Sequence, residues 1–196
     1  MRPRAARSAT RLFCCAAALA LAGCGHMPVT SMVRLARVDF QTSDPAQLRA
    51  AIKLPKSLKP LPRGVALRIA VKVGRSAEEA QDFVLRELPD VGELAGEADA
   101  ASRIYAYSLD DADVARLNAF RAALLERKKA GDHGSLSISV RPQACSTEEI
   151  GGAAIIFTSY LRTSETGSYV TLARDVDLRS IAPDRAVATE IPRCAS

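Results

Sequence analysis

The chain has 196 residues, 48% hydrophobic and 25% charged, with 27 Lys plus Arg against 22 Asp plus Glu. Those proportions fit one ordinary globular domain and exclude a disordered or collagenous chain. Arg2, Arg4, Arg7 and Arg11 all precede Cys24 in a stretch without acid, so a chain starting at Cys24 is close to neutral and has no Trp for stacking, and no nucleic-acid partner is expected.

The same four arginines lead into an apolar run of eleven, Leu12 to Ala22 (LFCCAAALALA). A bilayer span needs about 20 apolar residues, so this run marks a secretory signal and not an anchor helix. It closes on Leu21-Ala22-Gly23-Cys24. That tetrapeptide resembles the lipobox of bacterial lipoproteins. The resemblance is confined to the leader. It implies that residues 1–23 are removed, that the Cys24 thiol carries a diacylglycerol, and that residues 24–31 form a lipidated tether. It also implies a membrane contact made through lipid. Gly25, where an Asp would favour the inner membrane in that family, points to the outer membrane with the protein facing the periplasm. Two other readings use the same residues. Ala20-Leu21-Ala22 fits the A-x-A rule of plain secretion, which would leave Cys24 as a free thiol. An Arg-rich start with no acid before Asp39 also suits organelle import, although such peptides are amphipathic and residues 12–22 are apolar on every face.

Residues 32–196 are expected to form a single α+β domain with a C-terminal tail. Val33 to Phe40 reads as a strand with irregular alternation. Asp44-Pro45 starts a helix, with Asp as cap, Pro at the first helical position and Gln47 reaching back, and it ends before Pro55. Residues 53–64 (KLPKSLKPLPRG) hold four cations and no acid, and read as an extended surface loop. Val65 to Val73 alternates as a strand with one apolar face. Ser76-x-x-Glu79 is a capping box for a helix whose Ala80, Phe83, Val84 and Leu88 share a face, stopped by Pro89.

Residues 90–101 read as an acidic loop or short helix, and Ile104 to Leu109 as a strand. Asp110, Asp111 and Asp113 then open the longest helix, which ends near Arg127, Lys128 and Lys129, a charge order that suits the macrodipole. Three strands close the chain, around Leu136 to Val140, Ala154 to Leu161 and Tyr169 to Leu178, as an antiparallel meander. The order β-α-β-α-β-α-β-β-β predicts a two-layer domain, a mostly antiparallel sheet with about three helices on one face.

Five Cys occur, and Cys14 and Cys15 leave with the leader. With Cys24 taken by lipid, Cys145 and Cys194 remain, and an even pair in an oxidising compartment reads as a disulfide, with two buried thiols as the alternative. Neither has a second Cys or His at ligand spacing, so no metal site is expected.

His133, in Asp132-His133-Gly134-Ser135, invites a catalytic triad, yet sequence neighbours are poor triad partners and these are turn residues. The three aspartates at 110–113 lack the calcium-loop spacing. Gly151-Gly152 precedes a strand, not a helix, so no nucleotide or other cofactor is expected. Lys53, Lys56, Lys59 and Arg63 make the best candidate surface contact, for anionic headgroups or an acidic partner. Asp90, Glu93, Glu97 and Asp99 form an acidic segment able to pair with them. The functional expectation is a non-catalytic accessory or interaction subunit of the bacterial envelope, with a protein partner there. A periplasmic module binding a lipid, peptide or small molecule is the alternative, and a hydrolase using His133 the third reading.

Overall fold

A computed structural model describes residues 27–40, 42–73, 77–129, 134–152, 154–178 and 191–195. Among them lie eight strands: β1 (Arg49–Pro55), β2 (Leu58–Val73), β3 (Glu79–Val84), β4 (Arg86–Leu88), β5 (Ser102–Ser108), β6 (Gly134–Ser146), β7 (Ile156–Arg162) and β8 (Val170–Asp177). They form two antiparallel sheets, one ordered β4-β5-β1-β7-β8 and the other β3-β2-β6. The helices are α1 (Val29–Leu35) and α2 (Asp111–Lys129), with 3-10 turns at Pro45–Gln47 and Gly92–Glu97.

The fold is therefore sheet-rich, and the two-layer α+β arrangement with helices on one sheet face is corrected. Both sheets feed one core. Ala50, Ile52 and Leu54 of β1 meet Val65, Leu67 and Ile69 of β2, with Phe83, Tyr107, Val140, Phe157 and Leu161, and α2 adds Leu117 and Phe120. A second cluster, Ala51, Leu94, Ile104, Ala106 and Tyr160, sits on the other face of the five-stranded sheet. Leu94 belongs to the Gly92–Glu97 turn, so this short segment covers the second face.

Three expected elements change type. Residues 29–35, split between tether and strand in the sequence reading, are helical, and Val33–Phe40 is not a strand. The Asp44 cap is real: its carboxylate accepts from the Ala46 N–H at 3.0 Å and from Gln47 Nε2 at 3.0 Å. The helix it opens lasts one 3-10 turn, because Ala50, Ala51, Ile52 and Leu54 all need burial, and only a strand covered on both faces gives it to consecutive residues. The expected helix after Ser76 is β3 and β4 instead. β3 pairs with the long β2, Ala66 with Val84 and Val71 with Glu79, which satisfies the edge N–H and C=O groups of β2 that a helix here would leave unpaired, and β4 pairs with β5. Leu85 joins the two strands, its N–H donating to Val65 O at 2.8 Å, as the chain passes from the small sheet to the large one.

Residues 53–64 are not a loop. They contain the end of β1, the turn at Lys56-Ser57 and the first half of β2. The prolines act inside β2: pairing to β6 shifts register between Pro60 and Val65, and Arg63 takes a left-handed backbone (φ 56°). Gly64 is required there, since a Cβ would stand 2.8 Å from Leu61 Cβ and 2.9 Å from Leu61 O.

The helix α2 and strands β5, β7 and β8 lie where the sequence places them, and the Asp113 N–H donates to Asp110 Oδ1 at 2.8 Å as the N-terminal cap requires. The expected meander is corrected in one respect. β7 and β8 are paired, but β6 belongs to the other sheet, beside β2.

Candidate functional site

Cys24, the expected lipid carrier, and His133, read as a turn residue and as the base only in the third, hydrolase reading, both lie outside the described residues. The first described segment after Cys24 is α1. Ser31 is buried and Leu35 half-buried, while Val29, Met32 and Val33 are 74%, 45% and 56% exposed. The helix is held to the domain by Arg34, whose Nη2 donates to Thr166 O at 3.0 Å and to the Ser168 hydroxyl. This places an outward apolar stripe on a segment the sequence reading divided between a tether and a strand. The signal was present in the spacing: positions 29, 32 and 33 follow helical period, and 31 and 35 lie opposite.

The four cations proposed as a contact do not share one surface. Lys53 sits on β1, on the face occupied by Ala51, and its Nζ is 2.9 Å from the Asp99 carboxylate. The acidic segment thus neutralises the first member. Lys56 occupies the β1–β2 turn, with its backbone N–H donating to Ala101 O at 2.9 Å. Lys59 is exposed on the other sheet, opposite Cys145. Arg63 lines a cleft on that sheet with Asp82 and Arg141.

Asp99 has a titration consequence. The Lys53 ammonium, then the Ser102 hydroxyl and the Ala101 N–H, hold its carboxyl well below the usual carboxylate range. A carboxylate depressed in the folded state contributes stability that is complete above its unfolded value and fades as pH falls through the folded one. Lys53→Met is therefore expected to be less stable than the parent at pH 7, with the gap narrowing from about pH 4, the ordinary Asp value, downward. Urea unfolding of both proteins at pH 7 and pH 2.5 checks this, and an unchanged gap would count against the pair.

A cleft of about 490 Å³ lies between the Thr42–Pro45 segment and α2, lined by Asn118, Arg121, Ala122 and Leu125. Arg121 is only 8% exposed, and its guanidinium lies 5.4 Å from the Phe40 ring centre. Its Nε has no hydrogen-bond partner among the described residues, and Nη1 donates to Asn118 Oδ1 at 3.4 Å. Burial pulls its pKa down, while Asp39, Glu165 and Asp44 push it up. Three acids around one cation leave the cleft without the positive excess that an anionic ligand needs. Nothing in the local sequence around Arg121 marks this cleft, because its other wall is the distant Thr42–Pro45 segment.

Cys145 and Cys194 form a disulfide, with Cα atoms 4.9 Å apart. Cys145 lies within the end of β6. The tail also pairs with that strand in parallel: Ser146 N donates to Pro192 O at 2.8 Å, and Cys194 N to Ser146 O at 2.9 Å.

Among the described residues no group of three or more His, Cys, Asp or Glu could hold a metal ion. No described helix is long and apolar enough to cross a membrane. Comparison of the chain with protein-family models, with curated proteins and with solved structures finds no match.

Proposed function

We propose that this chain is a lipid-anchored protein of the bacterial envelope, held at the outer membrane and facing the periplasm, and that its β domain serves as a non-catalytic accessory subunit for an envelope protein partner. One observation carries the reading: an arginine-led apolar run of eleven residues that closes on Leu21-Ala22-Gly23-Cys24. The Cys145–Cys194 disulfide agrees with it, because such bonds persist in oxidising compartments such as the periplasm. Lipid supplies location and the domain supplies recognition, and two or three acyl chains give a lasting anchor where one binds only reversibly.

Expression in a bacterial host followed by membrane fractionation tests the anchor. Wild-type chain is expected with the membranes and Cys24→Ser in the soluble fraction; a Cys24→Ser protein that stays with the membranes contradicts the reading. Cross-linking in those membranes tests the role, with a stoichiometric protein partner as the expected product. A second reading, a ligand-binding module, has the cleft over Arg121 in its favour. Recovery of a bound small molecule and no protein partner would select it.

A further inference from the structure

We propose that the outward stripe of α1, formed by Val29, Met32 and Val33, seats on the bilayer surface and fixes which side of the β domain faces the membrane. The proposal rests on the lipid-anchor reading of Cys24. Four residues separate Cys24 from Val29, and an extended chain covers at most about 3.6 Å per residue step, so over those five steps the helix cannot start more than about 18 Å from the Cys24 backbone. Headgroup and interfacial layers add about 5–8 Å on each side of the hydrocarbon core. An anchored chain therefore keeps α1 within reach of that layer throughout its life.

The helix is part of the domain and not a free tail. Ser31 is buried, and Arg34 donates to Thr166 O and to the Ser168 hydroxyl in the turn before β8. With that side fixed, Val29, Met32 and Val33 point outward, and they include the most exposed large apolar side chains among the described residues. Charge agrees. From Cys24 to Val38 the chain carries no acid, with Asp39 the first; Arg34 is turned to the domain, and Arg37, just past the helix, is exposed. A basic group beside an apolar stripe, with no acid in that stretch, suits phosphate-bearing headgroups.

The size of the stripe favours lipid over a protein. A seven-residue helix is only about 10 Å long, and three side chains fall far short of the 20–30 residues per partner in a stable protein interface. Such a patch is too weak to bind from solution. The acyl anchor removes that requirement, because a tether turns the second contact into an intramolecular one at high effective concentration.

The chain has no Trp, so one introduced indole reports alone. Full-length lipidated Val33→Trp, reconstituted in vesicles of phosphatidylethanolamine and phosphatidylglycerol, is expected to emit to the blue of its detergent-free soluble Cys24→Ser counterpart and to lose emission when the acyl chains are brominated. Leu136→Trp is the control, at an exposed apolar position on the other sheet. It is expected to keep its emission. A Val33→Trp protein that floats with the vesicles but is not quenched, or that is quenched no more than Leu136→Trp, overturns the seat and leaves the anchor standing. A protein that does not float, with an N-terminal peptide lacking acyl mass, overturns both.

Discussion

Replacing Cys145 and Cys194 together by Ala is expected to cost the β domain about 4 kcal/mol of unfolding free energy. The bridge spans 49 residues, and a cross-link of that length removes loop-closure entropy from the unfolded chain, which is where most of its effect is placed in the chain-entropy account. The closed loop starts at the end of β6, at the edge of the small sheet, and contains β7 and β8 of the large one. The bridge therefore links the edge of the small sheet to the end of the chain that builds the large one. Among the described residues the tail adds two backbone hydrogen bonds at Ser146 and the packing of Ile191 against the core, and the disulfide is the covalent tie among these contacts. Urea unfolding of oxidised parent and double variant measures the effect as a lower midpoint and a lower unfolding free energy, with a slope no smaller than the parent's because the uncrosslinked unfolded chain exposes more surface. Equal midpoints would mean that the bond constrains nothing in the unfolded ensemble.

Phe83→Ala is expected to cost about 3–5 kcal/mol, and its neighbour Val84→Ala about 1 kcal/mol or less. In β3 successive side chains point to opposite faces, and Phe83 is fully buried in the shared core while Val84 is half-buried on the outer face. The Arg116 guanidinium also stacks 4.5 Å from the Phe83 ring centre, so truncation removes a partner on the surface side as well. A helix over the same residues would place Ala80, Phe83 and Val84 on one apolar face and make the two truncations comparable. Thermal or urea unfolding of the two variants thus separates strand from helix, and similar losses would argue against β3.

The elements that were legible carried their information locally. For α2, Asp110 as cap, acids in the first turn and cations in the last sufficed, and none of these depends on distant residues. The alternation of Val65, Leu67, Ile69 and Val71 placed β2 because one of its faces is buried throughout. The pairing of Cys145 with Cys194 followed from counting. Where the reading failed, a local signal was sound and long-range pairing overruled it. The Asp44-Pro45 cap forms, yet the consecutive burial of Ala50, Ala51 and Ile52 makes the next residues a central strand. The helical spacing of residues 80–88 yields to the open edge of β2, which no window around residue 80 can reveal. Prolines at 60 and 62 suggested a loop and mark instead a register shift within a sixteen-residue strand. The functional surface shows the same division. Lys53, Lys56, Lys59 and Arg63 are close in sequence, but the turn at 56–57 sends them to different sheets, and one is already paired with Asp99.

Lipid attachment at Cys24 is tested most directly by the mass of the N-terminal peptide of protein purified from bacterial membranes. The expected peptide begins at Cys24 and carries a diacylglycerol thioether. A peptide that begins at Gly23 with Cys24 as a free thiol, or one that retains residues 1–23, would contradict the anchor and the envelope role built on it.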